Sequence, residues 1–441
     1  MNGRQLMYRL CWFVGILVLP GLLSGQEFRR LMIEEIQTVP TEANGEWKIG
    51  GQVFATVAIT QINASRRPTA GELAAVEYVV QDGKLVATVI QPIGIKAVDV
   101  HDGPYVIWKD ASTAEVLIMT GGKVSRKTYQ NITEPTVIDD LPAPVNSITL
   151  DPTTPSSPKS VWPRAAKLMA ISDLEGNYQN ARRFLETNKL IDQKGNWIWG
   201  EGHLVLVGDL VDRGSQVTEL MWLLHRLERQ AQKAGGRVHY ILGNHEAMVM
   251  GGDLRYIHPK YHFVTARMKL SYDQLFAANT EIGRWWRSKN GVQTIGNLLF
   301  IHGGYSPILD QAQLDIKTLN QRIRAGLPPA QPTGLTPATN PVKHQHGPFW
   351  YRGYFEKHAA AWGGLATEKE IKAILTRHRT EHIVIGHTVV DQIGPLDKTG
   401  AVIGVDVKWR DAKNCQGLLQ VNGQLWRVSI DGKRELIEIG K

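Results

Sequence analysis

Leu204-Val205-Leu206-Val207-Gly208-Asp209-Leu210-Val211-Asp212-Arg213-Gly214 is the stretch whose reading decides the fold. Its four apolar residues read as a buried strand that stops at Gly208. Two carboxylates and a guanidinium follow, and Glu219-Leu220-Met221-Trp222-Leu223-Leu224 then has the makings of a helix. Open α/β sheets place their ligands beyond the carboxyl ends of their strands. Like and unlike charges packed into five positions at such an end are costly to bury without partners. A divalent cation for the carboxylates and a phosphate for the guanidinium would satisfy them.

The same grammar recurs on both sides. Upstream, Lys167-Leu168-Met169-Ala170-Ile171 is a strand ending in Ser172-Asp173-Leu174-Glu175-Gly176-Asn177, with a helix expected through residues 181–187. Downstream, a helix over about 217–234 leads to a strand at 237–242 that ends in Gly243-Asn244-His245-Glu246. Three strand–acid–helix units in succession argue for βαβ architecture. Residues 250–290 then interpose a helical, aromatic insertion holding Tyr256, Tyr261, Trp285 and Trp286. Strand 297–301 ends in His302-Gly303-Gly304, a polar Pro-rich loop occupies 327–348, and strand 381–385 ends in Gly386-His387-Thr388. A further strand is expected at 401–406, and the tail reads as strands turning at Asn422-Gly423 and Asp431-Gly432.

Before residue 150 the pattern is β. Short β-branched runs at 52–60, 75–80, 85–90 and 114–120 alternate with turn signals, and Asp82-Gly83 marks a hairpin. No clustered histidine or paired acid occurs there, so this part is read as a small β-domain without chemistry. Residues 141–163 have a linker's Pro, Ser and Thr content. The expected organisation is an export signal at 1–25, a β-rich accessory domain at 26–150, a linker at 151–164, and a catalytic domain at 165–441 with a helical cap at about 250–290.

Composition bounds the function. The 441 residues are 43% hydrophobic and 21% charged, ordinary for a globular protein. The formal net charge is +8; Arg4 and Arg9 lie in the segment expected to be removed, leaving 8 − 2 = +6. With no basic block interleaved with aromatics, nucleic acid is not expected as the main ligand, and a mild pull on anionic substrates is. A basic start, an apolar core at 10–19 and small residues before Gln26 read as an export signal, which places the mature chain in the periplasm or outside the cell. That core is shorter than the roughly 20 residues of a membrane span, so none is expected in the mature chain. Of the two cysteines, Cys11 leaves with the signal and Cys415 remains as a small packed residue.

In chain order the strand ends supply Asp173 and Glu175, then Asp209, Asp212 and Arg213, then Asn244 and His245, then His302, then His387. Carboxylate, imidazole and amide oxygen together suit Zn, Fe or Mn rather than Ca. Six candidate ligands exceed the needs of one ion, and two ions about 3.5–4 Å apart sharing one carboxylate would use them all. Each motif alone is weak, since Asp173 could cap a helix and a lone histidine usually sits satisfied in a core. Recurrence at five strand ends is what capping does not explain.

GDLVDRG, GNHE, HGG and GHT in this order resemble the PPP-type metallophosphatases of the calcineurin-like superfamily, over about residues 167–410. The tract Phe349-Trp350-Tyr351-Arg352-Gly353, the insertion and the export signal most resemble the Shewanella-like bacterial branch. The resemblance implies an α/β fold, a calcineurin-like sandwich of two β-sheets flanked by helices, here preceded by the small β-domain. It implies two divalent metal ions (Mn, Fe or Zn): Asp173 and Asp209 on the first, with Asp209 bridging, and Asn244, His302 and His387 on the second. His245 would protonate the leaving oxygen, oriented by Asp212, while Arg213 and Arg352 clamp the phosphate. The family's first motif reads Gly-Asp-x-His-Gly, whereas this chain has Glu175 at the imidazole position. Glu175 is expected to remain a ligand, and its harder oxygen favours Mn.

The implied activity is that of an exported phosphatase, in which metal-activated hydroxide attacks phosphomonoesters of small molecules or proteins, aryl and tyrosine phosphates included. Rival readings are a phosphodiesterase or dinucleoside-polyphosphate hydrolase, and a metal-poor phosphate- or phosphoprotein-binding module disabled by Glu175. In the cap, Arg255, Lys260, Arg267 and Lys269 are expected to meet an anionic substrate, with Trp285 and Trp286 packing the cap's own core.

Overall fold

The computed structural model describes residues 30–40, 45–62, 68–81, 83–330 and 334–439. The expected export segment, Cys11 and Asp82 of the hairpin lie outside these residues. Among the described residues, no helix is long and apolar enough to cross a membrane. The chain forms two compact units. One takes the residues up to Tyr105 with Val116–Thr128 and Leu254–Tyr272; the other takes Val106–Glu115, Tyr129–Asp253 and Asp273–Lys441.

In the first unit, Arg30–Thr38 (β1), Glu46–Ile49 (β2), Gln52–Ile62 (β3), Glu72–Gln81 (β4) and Lys84–Lys96 (β5) close into a barrel in the order β1-β2-β3-β5-β4. The expected hairpin is there: β4 and β5 pair antiparallel up to Gln81↔Lys84, and Gly83 takes the φ of +75° that a two-residue turn demands. Closure needs two long-range pairings, β3 parallel to β5 and β1 antiparallel to β4, which leave no strand edge open. Ile36, Trp47, Ile49, Phe54, Ala74, Val76, Ala87 and Ile90 fill the interior. Helix Pro259–Met268 belongs to this unit, and its cations are engaged within it: Arg267 Nη2 lies 2.9 Å from Glu34 Oε2, and the buried Lys260 lies 3.6 Å from Asp102 Oδ1. This corrects the expectation that these two side chains await a substrate.

Asp102–Trp108 (β6), Ala114–Thr120 (β7) and Lys123–Tyr129 (β8) make a three-stranded sheet, and Thr136–Ile138 (β9) pairs with Ile148–Leu150 (β10). The second unit is built on two six-stranded sheets, as expected. One joins Lys167–Ile171 (β12), His203–Leu206 (β13) and Arg237–Tyr240 (β14) in parallel. Helices Tyr178–Thr187 (α1) and Val217–Lys233 (α2) supply the crossovers; the tail strand Gln416–Val421 (β20) pairs antiparallel with β12, and Gln424–Ser429 (β21) and Arg434–Leu436 (β22) follow it as an antiparallel meander. The members of the other sheet are Val161–Trp162 (β11), Val292–Ile295 (β15), Leu298–Ile301 (β16), His382–Ile385 (β17), Gly394–Pro395 (β18) and Val402–Gly404 (β19), in the order β11-β15-β16-β17-β19-β18. Leu204, Val205 and Leu206 are all buried, as is every residue of β16, which is why these two strands read as continuous apolar runs rather than alternations.

The boundaries differ from those expected. Residues 151–164 are not a free tether, because Val161–Trp162 pairs parallel with β15 and Asp151 holds Arg229 at 2.9 Å. The stretch expected to form one cap is divided, with Leu254–Tyr272 in the first unit and the residues from Asp273 onward in the second. Trp285 and Trp286, in helix Glu281–Ser288, accordingly pack the second unit: Trp285 stands edge-on to His225 and Tyr240, and Trp286 stacks on Phe276 at 4.6 Å.

Phe54 is fully buried in the barrel and meets Tyr78 edge-on at 5.1 Å. Phe54→Ala is expected to destabilise the barrel by on the order of 3–5 kcal/mol in urea titrations. An unchanged midpoint would contradict the interior described.

Candidate active site

Parallel pairing points the carboxyl ends of β12, β13 and β14 one way, and those of the parallel pair β16 and β17 carry His302 and His387. Asp173 lies just past β12, Asp209 past β13, and Asn244 and His245 open helix Asn244–Met250 (α3) after β14. His302 directly follows β16 and His387 lies just past β17. The backbone must turn sharply at each end. Asp173, Glu175, Asp209, Asp212, Arg213 and His387 all adopt positive φ, a costly left-handed conformation for residues with a Cβ. Gly208 is needed for closeness as well as for its φ of +86°: a Cβ there would lie 2.5 Å from His302 Nδ1.

The turns are tied together by a residue to which the sequence assigned no role. Glu246 is fully buried, and its carboxylate accepts N–H bonds from Gly243 (2.8 Å), Leu210 (2.8 Å) and Asp209 (3.1 Å) and the Tyr240 hydroxyl (3.0 Å). Its only signal in the sequence was the capping pattern of an acid at the third position of a helix.

Asp209, His302 and His387 form a buried group whose ligand atoms lie within 4.8 Å of one another. Asp209 Oδ1 accepts the His245 main-chain N–H at 2.9 Å, and Oδ2 lies 3.1 Å from His302 Nε2. His302 Nδ1 is spent on the Val207 carbonyl at 2.7 Å, and Asn244 Oδ1 stands 3.1 Å from His302 Nε2. Asp173 Oδ2 accepts from Ser172 Oγ at 2.5 Å and from the His387 N–H at 3.1 Å. His387 offers Nδ1 to Arg352 Nη2 at 3.4 Å, and Arg352 Nη1 also donates to Thr388 Oγ1 at 3.1 Å. The site therefore gathers Asp173, Asp209, Asn244, His302, His387 and Arg352.

The electrostatics follow. Burial alone would lower the His302 pKa, but the Asp209 carboxylate beside it raises it to about 9. Burial would raise Asp209, and the histidines around it, His302 first, instead hold it below the usual carboxylate range. Burial lifts Asp173 to about 6. Burial and the charge on His302 keep His387 well below its ordinary value, in the neutral form that ligates metals. A proton on His302 thus does what a metal cation would do among these donors, and metals compete with protons for such groups. Buried carboxylate and imidazole donors this close fit a divalent ion.

His245 Nδ1 lies 2.6 Å from Asp212 Oδ2, the pairing expected, with Nε2 facing Asp209 Oδ2 at 3.7 Å. Burial opposes the charged form of His245, but Asp209 and Asp212 together raise its pKa. The Glu175 carboxylate is ion-paired with the Arg213 guanidinium, and the close donor group of Asp209, His302 and His387 does not include it.

A model of the family described as calcineurin-like phosphoesterase matches residues 166–391, just over half of the chain. The chain belongs to that family. It is 24% identical over 286 residues to Shewanella-like protein phosphatase 2 of Arabidopsis thaliana, covering 54% of this chain and 71% of the relative. Shewanella-like protein phosphatase 1 of Plasmodium berghei is 24% identical over 234 residues, covering 50% of this chain and 61% of its own, so less than two thirds of that relative is spanned. Among solved structures, the cold-active protein-tyrosine phosphatase of a psychrophilic Shewanella superposes with a TM-score of 0.69 at 34% identity. That match covers 77% of this chain and all of the Shewanella protein. The calcineurin-like phosphoesterase described here is thus a phosphatase of the Shewanella-like branch, and divalent metal ions are its cofactors.

Removing the Glu246 carboxylate strands three buried N–H groups, each worth about 1–3 kcal/mol when unsatisfied. Glu246→Ala is expected to lower stability by at least about 3 kcal/mol in denaturant titration of the metal-free protein. A loss below about 0.5 kcal/mol would show that the turns are held by something else.

Proposed function

We propose that this phosphatase hydrolyses phosphomonoesters, with aryl phosphates such as phosphotyrosine in its range, at a pair of divalent ions for which Mn is favoured. Export forms part of the proposal and is supported by the basic start and apolar core of residues 1–25. The observation that carries the reading is the convergence of Asp209, His302 and His387 beside a histidine already paired with a carboxylate. When bound, such ions lower the pKa of water and polarise phosphoryl oxygens. Asp173, Asp209, Asn244, His302 and His387 would hold them, with Asp209 Oδ2 lying 3.1 Å from His302 Nε2 and Oδ1 on the His245 N–H.

The chain's own groups do the rest. Asp212 fixes the Nδ1–H of His245 and leaves Nε2–H directed into the site, poised to protonate the leaving oxygen. Arg352, anchored on Thr388, and Arg213, steadied by Glu175, bring two guanidinium groups to offset phosphoryl charge. Trp350 stands edge-on to His387 with ring centroids 5.9 Å apart, an aromatic surface beside the donors that suits an aryl leaving group. The Shewanella neighbour named a protein-tyrosine phosphatase supports the same substrate class.

Rates on phenyl phosphate, a phosphotyrosine peptide, a phosphodiester and a dinucleoside polyphosphate test the proposal. Monoesters are expected to dominate, and preferred turnover of the diester or dinucleotide would overturn it. His245→Asn is expected to retain its metals while losing about 10²–10⁴ in kcat on poor leaving groups and much less on p-nitrophenyl phosphate. An equal loss on both would contradict the proton-donor role. Asp209→Asn is expected to lose metal and rate together, and full metal content in that variant would refute the shared ligand.

A further inference from the structure

Ser172, between β12 and Asp173, is fully buried. Its hydroxyl oxygen lies 2.5 Å from Asp173 Oδ2 and 2.9 Å from the Val207 carbonyl oxygen. That carbonyl also accepts the Nδ1–H of His302 at 2.7 Å. One main-chain oxygen at the end of β13 therefore meets a side chain from the end of β12 and another from the end of β16, so the cluster runs from one six-stranded sheet to the other. The backbone around it is fixed: Val207 N–H donates to the Ile171 carbonyl and Asp173 N–H to the Gly208 carbonyl, each at 2.9 Å. The space is fixed as well, because a Cβ on Gly386 would overlap both Ser172 Oγ and Asp173 Oδ2.

A serine hydroxyl has one hydrogen to give, and the nearer, ionisable Asp173 Oδ2 is the stronger claimant on it. Asp173 Oδ2 thus receives two donors, the Ser172 hydroxyl and the His387 N–H at 3.1 Å. Asp173 is 5% exposed, and among the described residues no hydrogen bond or ion pair reaches its Oδ1. The two oxygens of this buried carboxylate are therefore unequal. His302 is treated in the same way, since Val207 holds Nδ1 and leaves Nε2 toward Asp209. Partners that occupy the second atom of a metal ligand orient the first and raise affinity.

Building on the metallophosphatase reading above, we infer that Ser172 is a positioning residue for the metal site: its hydroxyl holds Asp173 Oδ2, so that Asp173 binds a divalent ion through Oδ1 alone. A carboxylate restricted to one oxygen suits a small ion with few ligands, such as Mn or Mg. It withholds one of the oxygens with which Ca reaches its about six to eight ligands. Ser172 thereby acts on the choice of ion as well as on its affinity.

The test uses Mn and Ca, each alone, as probes on the full chain freed of metal, with calorimetric titration giving the affinity for each ion. Wild type is expected to bind Mn more tightly than Ca. Ser172→Ala is expected to bind Mn at least about tenfold more weakly, the cost of losing such a supporting bond, while losing no affinity for Ca. The preference between the ions is what separates positioning from a structural tie, because a looser fold weakens both alike. A second measurement guards against misfolding: the metal-free variant is expected to melt within about 8 °C of wild type, as the loss of one buried hydrogen bond allows. A smaller Mn loss, a parallel Ca loss or a larger fall in Tm would overturn the assignment and leave the metal site standing. Wild type that takes up no Mn, or takes Ca more tightly, would overturn the reading of the site together with it.

Discussion

Several acids and histidines are buried within a few ångströms of each other, and the rest of the second unit is arranged around that fact. Such a cluster is tolerable only when positive charge is interleaved with it. In the structure His302 Nε2 lies 3.1 Å from Asp209, whose carboxylate raises the imidazole pKa, and the Arg352 guanidinium lies against His387. The arrangement holds places for cations, and the metal-ion chemistry of the family follows from it. Backbone strain and glycine placement are consequences. Six side-chain-bearing residues at the site are forced into left-handed φ, and at Gly208 and Gly243 the turns meet too closely for a Cβ.

Rigidity is supplied from below the donors. Glu246 links the turns after β13 and β14 through three N–H bonds and the Tyr240 hydroxyl, so Asp209 and Asn244 are fixed relative to each other before any ligand arrives. Donor groups held in place in advance need little reorganisation when charge develops on a substrate. Glu175 sits where the family's motif has a ligand, and in the structure it is ion-paired with Arg213.

The motifs of the site were legible because each is a local event, a buried strand ending in Asp, Asn or His beside glycine. Strand register then brings distant motifs together without further instruction, and the two sheets and their crossovers followed from the same period. What depended on long-range pairing was not legible. Nothing local announces that β3 pairs parallel with β5, that Val161–Trp162 adds to β15, or that Leu254–Tyr272 packs with the barrel unit. Charge partners escaped for the same reason. Lys260 and Arg267 resemble substrate contacts until Asp102 and Glu34 are seen beside them.

The central claim is that this buried donor cluster holds a pair of metal ions. Crystals grown with Mn and measured at the Mn absorption edge test it most directly. The account predicts two anomalous peaks about 3.5–4 Å apart, both within bonding distance of the Asp209 carboxylate. A map with no peak there, and with His302 Nε2 still closed against Asp209, would contradict it.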